Sequence, residues 1–294
     1  MSRPVVFFFG NEQLAQGLMR VVTPSFDALV REGYKIGALV LPSENTKKPL
    51  KIAEVAYGYG VPVFYTRNSG EILELVREKK PDIGVLASFG KIIPQAVIEA
   101  FPMGILNIHP SLLPKYRGTT PIESAILNGD KETGVSVMGL VKEMDAGPVF
   151  AQEKVTLRGN ETKQELYERL ARLGWALLIR VLGDVVRNNV TGVEQNNSQA
   201  TFTKKLEKKD GNIAPNEFSA VEIERQIRAY AGFPKSKYEF FGVPCTVIQG
   251  HIEENVGSGL EIECKDGRYL SVDRLVPAGR KEMSATEFLR GYAK

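Results

Sequence analysis

The sequence predicts an α/β fold in which a domain built on a mostly parallel sheet is followed by a separate, small β-barrel module. In the first two thirds, short apolar runs alternate with helix-forming segments, which is typical of repeated βαβ units. In the last third, short strand-like runs follow one another with glycines between them, which is typical of a small barrel. A chain of 294 residues is also long enough for about two domains.

The strands predicted for the parallel sheet are apolar runs that end at turn residues, as expected for strands covered on both faces. They span 5–9, 35–41, 61–64, 83–87 and 104–108. Thr23 and Pro24 predict a helix start, and Ser69 predicts the cap of a helix that runs to Lys80. A further helix is expected after Pro49. Together these elements predict a sheet with helices on both faces.

The elements that follow complete the first domain and lead into the second. A helix at 122–127, strands at 134–141 and 149–157, and a long helix opened by the capping box Thr162 to Glu165 are predicted. From about 188 to 203 the chain is rich in Asn, Gln, Thr, Ser and Gly, which favours a linker. We therefore expect a catalytic domain over 1–189, a basic linker over 190–206 and a second domain over 207–294.

The second domain is predicted from two more capping boxes and a set of short strands. The capping boxes begin at Ser219 and Ser284. The strands span 237–241, 243–252, 260–264 and 269–276. Short strands at this spacing predict the barrel.

Composition excludes several classes of protein. The chain is 43% apolar and 25% charged, with a net charge of +3, which is ordinary for a globular protein. No apolar run approaches the ~20 residues of a membrane helix, and the run before Gly10 is short for a signal peptide. Cys245 and Cys264 are expected to be reduced thiols in the core. We therefore expect a cytoplasmic protein without a membrane partner.

Two kinds of cofactor are disfavoured by spacing. The turn after the first strand, Gly10-Asn11-Glu12, is not followed by the glycines of a dinucleotide-binding loop, so a nicotinamide cofactor is not expected. The His, Cys and acidic residues show no metal-ligand spacing, so we expect no metal.

Asn107 and His109 are the first candidate site residues. They lie at the end of an apolar strand that Pro110 interrupts, and alternation places both side chains on one face. Ligands of open parallel sheets bind beyond the carboxyl ends of the strands. The pair therefore predicts a ligand site, although a hydrogen-bonded structural histidine would leave the same pattern.

The string Asn107-Ile108-His109-Pro110-Ser111-Leu112-Leu113-Pro114, with Arg117-Gly118 and the later Asp145-Ala146-Gly147, resembles the signature of folate-dependent formyltransferases. The resemblance extends to Phe202–Leu206 and Val276–Ala285, which selects the methionyl-tRNA formyltransferase family. It implies a Rossmann-like formyltransferase domain followed by an OB-like barrel that binds tRNA. It also implies transfer of a formyl group from 10-formyl-tetrahydrofolate to initiator methionyl-tRNA, and we expect a monomer.

The resemblance assigns roles to individual residues of this chain. The catalytic residues would be Asn107, His109 and Asp145, and the folate contacts would be Ser111, Leu112, Leu113 and Pro114. The loop after the strand at 83–87 adds Phe89, Ile92 and Ile93 as a possible floor for a flat heterocycle. Lysine clusters suggest tRNA contacts at Lys47, Lys48, Lys204, Lys205, Lys208 and Lys209, although such clusters also occur on plain solvated surfaces.

Formyl transfer between nitrogens explains why these residue types are needed. The carbonyl oxygen gains negative charge, which N–H groups of Asn107 and His109 can stabilise by ~3 to 4 kcal/mol for each donor. A carboxylate beside the imidazole, for which Asp145 is the candidate, would hold the charged ring and remove the proton through water. Ordinary turn chemistry is the alternative explanation of Asp145.

Two departures from the family pattern and three rival functions stay open. The first loop reads Gly10-Asn11-Glu12-Gln13-Leu14 instead of the usual Gly-Thr-Pro-x-Phe, and the loop from Leu41 to Pro49 is short and lacks arginine. The rivals are an N-formyltransferase of amino sugar nucleotides, a non-catalytic RNA-binding protein and a formyl-folate hydrolase. Binding to tRNA should weaken steeply with salt, whereas binding to a nucleotide sugar should not. His109→Ala should leave a non-catalytic protein unaffected, and a hydrolase should form product without an amine acceptor.

Overall fold

A computed structural model of the chain describes residues 3–11, 24–43, 50–257 and 259–293. The described residues form two compact units. The first unit contains the chain up to Thr119 together with 133–155 and 167–203, and the second contains 120–132, 156–166 and the residues from Lys204 onward. Each unit has its own sheet and core.

The first unit is built on a seven-stranded sheet of order β3-β2-β1-β4-β5-β6-β7. Its strands are β1 (Val5–Phe9), β2 (Lys35–Pro42), β3 (Val63–Thr66), β4 (Ile83–Leu86), β5 (Ile105–His109), β6 (Glu132–Gly139) and β7 (Val149–Thr156). The pairings among β1 to β5 are parallel, and β6 joins β5 in the antiparallel direction. The predicted mostly parallel, Rossmann-like sheet is confirmed.

Alternation along β1 explains how this sheet acquires a core on each face. Val6 and Phe8 pack in one cluster with residues of α1, α2 and α6, whereas Phe7 and Phe9 pack in another with residues of α3 and α4. The helices are α1 (Pro24–Arg31), α2 (Lys51–Gly58), α3 (Ser69–Lys79), α4 (Gln95–Ile98) and α6 (Lys163–Val186). Burying a side chain such as Phe8 contributes about 1.5 to 3 kcal/mol.

The three predicted capping boxes mark helix starts correctly, whereas Thr23, predicted as the start of α1, lies outside the described residues. The capping box of α6 forms, because the Glu165 carboxylate accepts from the Thr162 backbone N–H at 2.8 Å. The predicted cap of α3 is wrong by one residue, since Asn68 rather than Ser69 accepts the Glu71 N–H, at 3.1 Å. Asn and Ser are both strong N-caps, and the neighbouring pair offered no means to choose between them. The one-turn helix α4 was not predicted.

The second unit holds a five-stranded antiparallel sheet of order β10-β11-β9-β8, with β12 beside β11. Its strands are β8 (Ser236–Phe240), β9 (Val243–Glu253), β10 (Glu261–Glu263), β11 (Tyr269–Pro277) and β12 (Met283–Ser284). Register shifts between β9 and β11 near Arg274 bend the sheet, as bulges do in curled sheets. The barrel-type second domain is confirmed.

Three helices pack in this second unit: α5 (Pro121–Leu127), α7 (Ala220–Ala229) and α8 (Ala285–Tyr292). The capping boxes predicted at Ser219 and Ser284 both form. Ile223 of α7 and Phe288 of α8 are fully buried in the core with strand residues such as Leu270. In the described part of the chain, no helix has the length and apolar character needed to cross a membrane.

Candidate active site

The loops after β1 and β4 meet at the carboxyl edge of the first sheet, next to the end of β5. Gly10 adopts φ +151°, and a Cβ at this position would lie 1.8 Å from the Ala87 carbonyl oxygen, so the close approach requires glycine. The Asn11 N–H then donates to the Ser88 carbonyl at 3.2 Å. Because β1, β4 and β5 are neighbours, the sheet places the end of β5 beside these loops.

Asn107 presents a buried and available amide at this edge. Its backbone is fixed between Leu86 of β4 and Met138 of β6, and the residue is 6% exposed. Within the described ranges, no hydrogen-bond partner of its side-chain amide is found. An amide N–H without a partner among the described residues is available to bind an incoming oxygen.

The ring of His109 lies between two hydrogen-bond acceptors. Nε2 is 2.8 Å from the Tyr116 carbonyl oxygen, and Nδ1 is 3.6 Å from Oδ2 of Asp145. The second distance is longer than a hydrogen bond. A neutral imidazole has one N–H, so both acceptors can receive a hydrogen bond at once only when both ring nitrogens carry protons.

Asp145, on the other side of the contact with His109, is held by a hydrogen bond to its carboxylate. Its backbone has φ +50°, which is uncommon for a residue other than glycine. The Gly118 N–H donates to Oδ2 at 2.7 Å, and the side chain is 14% exposed. The structure thus places Asp145, from a turn much later in the chain, beside His109, and Asn107 lies two residues before His109 on β5.

The loop predicted to contact folate is rigidly bonded to the sheet below it. Ser111 is fully buried, and its hydroxyl donates to the Lys115 carbonyl at 2.5 Å, so this hydroxyl already has a partner. Gln152 donates to the Leu113 carbonyl at 2.8 Å and to the Ser136 hydroxyl at 2.9 Å. Leu113 is buried, whereas Leu112 and Pro114 keep partly exposed surfaces.

Of the three apolar residues predicted after β4, one is open to a ligand. Phe89 packs edge-on against Phe9 with ring centroids 5.6 Å apart, and Ile93 lies in the same core cluster. Both side chains are therefore used for packing. Ile92 is 77% exposed and keeps its surface free for a flat heterocycle.

The lysines predicted to contact tRNA differ in their surroundings. Lys47 and Lys48 lie outside the described residues. Lys204 pairs with Asp210, whose hydrogen bond raises the pKa of the Lys204 ammonium, and Lys209 pairs with Glu207 at 2.9 Å. Lys205 and Lys208 are exposed, and no ion pair of theirs is found in the described part of the chain.

Sequence reasoning missed the polar residues that support this site. Ser136 and Gln152 brace the Ser111 loop, while Arg117 and Gln195 bond to each other beside Asp145. Arg117 belongs to the recognised string, but Gln195 lies in a polar stretch with no local signal. No group of three or more His, Cys, Asp or Glu side chains is arranged to hold a metal ion in the ranges that the structure describes.

Comparison with known proteins matches both parts of the chain. Residues 11–182 match the family model of formyl transferase, and residues 205–293 match that of the formyl transferase C-terminal domain. A methionyl-tRNA formyltransferase of Chloroflexus aggregans is 42% identical over 302 residues, which covers 93% of this chain and 97% of that protein.

Two solved structures share the fold. HypX from Aquifex aeolicus in complex with tetrahydrofolic acid has a TM-score of 0.69 at 16% identity, and the match covers 100% of this chain and 48% of HypX. This chain thus spans about half the length of HypX. An N-formyltransferase from Helicobacter canadensis, in complex with folinic acid and dTDP-3-aminofucose, has a TM-score of 0.68 at 18% identity, covering 92% of this chain and 99% of that protein.

Proposed function

Because the chain belongs to the methionyl-tRNA formyltransferase family, we propose that Asn107, His109 and Asp145 carry out the formyl transfer. The enzyme transfers a formyl group to the free amino group of methionyl initiator tRNA, giving N-formylmethionyl-tRNA for translation initiation. We take 10-formyl-tetrahydrofolate as the formyl donor and the cytoplasm, where translation uses the product, as the place of action.

The buried amide of Asn107 is the observation that carries this assignment. The amine forms its new bond to the formyl carbon, and negative charge gathers on the carbonyl oxygen. The Asn107 N–H has no partner among the described residues, is 6% exposed and lies on the same strand as His109. A donor that is fixed in a dry site before the charge develops stabilises it more strongly than water does.

His109 acts through its charge in this proposal. Because its two nitrogens face the Tyr116 carbonyl and the Asp145 carboxylate, a direct hydrogen bond to the substrate would require the ring to leave one of them. The ring stays bonded to the Tyr116 carbonyl beside the Asp145 carboxylate, and a second proton on the ring would place positive charge near the developing oxyanion. Direct donation to the oxygen, which the sequence predicted for both residues, is therefore assigned to Asn107.

Asp145 manages the proton that the amine loses. Its carboxylate, which lies beside the His109 ring, accepts this proton through water after the amine has bonded to the formyl carbon and before the carbon–nitrogen bond to the donor breaks. The departing nitrogen of the donor takes up that proton, so the reaction balances without a net change in the enzyme. The bond from the Gly118 N–H keeps the carboxylate oriented throughout.

We propose that the folate lies on the open surfaces at the same edge. Ile92, Leu112 and Pro114 offer apolar area beside the catalytic residues, as flat heterocycles require. For the second substrate, we propose that the segment from Lys204 to Lys209 contacts the tRNA backbone, chiefly through Lys205 and Lys208, which keep their charges unpaired within the described residues.

Separate incubations test this function. The protein is mixed with 10-formyl-tetrahydrofolate and either methionyl initiator tRNA, an amino sugar nucleotide or no acceptor, and the products are identified by mass spectrometry. Formylated methionine on the tRNA is expected, with His109→Ala as the inactive control. Formylated sugar, or loss of formyl-folate without any acceptor, would replace the proposed reaction by one of its rivals.

A further inference from the structure

The residues 193–203, here called the strap, run through the first unit beside the catalytic loops. At its start, Val193 and Val149 exchange two backbone hydrogen bonds of 2.8 Å. At its end, the Arg117 N–H donates to the Thr201 carbonyl and the Thr203 N–H donates to the Arg117 carbonyl, both at 2.8 Å. The strap is therefore fixed at both ends to the segments that carry the site.

Gln195 in the strap uses its whole side-chain amide to join two parts of the site. Its Nε2 donates to the carbonyl oxygens of Asp145 at 2.8 Å and Gly147 at 2.7 Å. Its Oε1 accepts from Nη2 of Arg117 at 2.7 Å and from Nε at 3.1 Å. These four bonds satisfy both N–H groups and the oxygen of the amide.

Arg117 determines which way this amide points. Arg117 is 4% exposed, and its Nη2 also donates to Oδ1 of Asn197 at 2.8 Å. Because a guanidinium can only donate, it must face the oxygen of Gln195, and the N–H groups of that amide must then face Asp145 and Gly147. Charge-assisted bonds of this kind are stronger than those between neutral groups.

Asp145 needs such support because its backbone conformation is unfavourable. A non-glycine residue at φ +50° costs on the order of 1 to 3 kcal/mol and persists when its surroundings hold it. Gln195 bonds the carbonyl of Asp145, and the Gly118 N–H bonds its carboxylate at 2.7 Å. Releasing the carbonyl would let the turn relax and would move the carboxylate relative to His109.

We propose that Gln195 is a positioning residue for Asp145 and that buried Arg117 orients it for this task. The proposal rests on the proposed function, because its effect is felt in the formyl-transfer step. It gives the polar strap a role in catalysis although no strap residue contacts the reacting atoms.

Two variants of Gln195 separate positioning from general packing. Gln195→Ala removes all four bonds, while Gln195→Glu keeps acceptors for Arg117 and removes the two N–H donors to the turn. Both are expected to lower kcat about 10- to 100-fold, as misplacement of a catalytic group by about 1 Å does. KM for tRNA and for the folate should change less than about twofold, because neither substrate meets Gln195.

Glu194→Ala is the matched control, since Glu194 is the exposed neighbour on the strap. It should keep the wild-type kcat. Circular dichroism must show that each variant is folded. If Gln195→Ala does not fold, Gln195→Glu alone tests the positioning role. An unchanged kcat in both Gln195 variants, or a loss confined to KM, would overturn the positioning role.

A second measurement does not depend on activity. The chain has two histidines, so in a His251→Gln background the ring ¹H–¹⁵N signals belong to His109. These signals should shift in Gln195→Ala and stay in place in Glu194→Ala. If the unaltered protein formylated no tRNA, the proposed function would be wrong. The ring signals would still show whether Gln195 positions Asp145, and signals that stay in place in Gln195→Ala would contradict the positioning role.

Discussion

Two residues in left-handed backbone conformations lie on either side of His109, the proposed catalytic histidine. Tyr116 has φ +61° and offers its carbonyl to Nε2 of His109, while Asp145 has φ +50° and offers its carboxylate to Nδ1. Each such conformation costs on the order of 1 to 3 kcal/mol, which the surrounding bonds must offset. At the Tyr116 side, the Thr201 hydroxyl accepts the backbone N–H at 2.9 Å. The ring and its two neighbours are thus held by bonds within the chain itself.

Replacing Asn107 tests the oxyanion donor. Asn107→Ala should lower kcat by about 10² to 10³, the usual loss when one preorganised donor is removed. The Asn107 amide binds the transition state more strongly than the ground state, so KM for both substrates should change little. Steady-state kinetics at saturating tRNA measure the effect. Asn107→Asp is a useful comparison of similar size, since it replaces the donor by a negative charge and should be at least as impaired.

Period-2 alternation was enough to place Asn107 and His109 on one face, because both lie on a single strand. The supporting residues could not be found in this way. Gln195 and Arg117 are separated by 78 positions, and Gln152 and Ser136 by 16, and their bonds run between side chains that share no local pattern. Such contacts depend on the tertiary fold, so a single sequence carries no periodic signal for them.

At the scale of elements, strands and capped helices were predictable and polar segments were not. Alternating apolar runs and capping boxes are local features, and the strands and the three predicted capping boxes form close to their expected positions. The strap has few apolar residues, and for this reason the sequence predicted that it is part of a linker. Low apolar content indicates that a segment does not build a core, but Gln195 and Asn197 show that hydrogen bonds can order it.

The basic segment gives a prediction at the same scale. Lys205→Ala with Lys208→Ala should weaken tRNA binding and reduce the slope of log K against log salt concentration by about two, one for each phosphate that is no longer neutralised. Binding is measured by fluorescence anisotropy at several salt concentrations. The control is Lys265→Ala with Lys281→Ala, which removes the same charge from exposed positions elsewhere in the second unit. This pair should alter the slope less. Equal effects of the two pairs would remove the segment from the interface.

At the scale of the whole molecule, the two units have separate cores. The second unit contains a surface histidine that couples its stability to pH. Nδ1 of His251 lies 3.0 Å from a carboxylate oxygen of Asp273, and Nε2 lies 3.0 Å from one of Glu253, so a protonated ring nitrogen donates to the carboxylate that it faces. The hydrogen bond to Asp273, followed by that to Glu253, raises the pKa of His251 above its usual value.

The sign of the pH effect follows from that shift. A raised pKa means that the folded state holds the proton more tightly, so the stabilisation is complete below the ordinary pKa of about 6.5 and is lost as pH rises through the higher folded value. Because the side chain is 52% exposed, the effect should stay below about 1 kcal/mol. Denaturation of His251→Gln and wild type at pH 5.5 and pH 8.5 should show the larger difference at pH 5.5; equal differences would contradict the assignment.

Asp145→Asn gives the most direct test of the proposed formyl transfer. The amide oxygen can still accept the Gly118 N–H, so the turn is preserved, but the side chain can neither stabilise the charged His109 ring nor accept the proton. Single-turnover formylation of methionyl initiator tRNA should therefore slow by about 10² to 10⁴ in a folded variant that binds folate normally. A folded Asp145→Asn enzyme that formylates at the wild-type rate would contradict the proposed site.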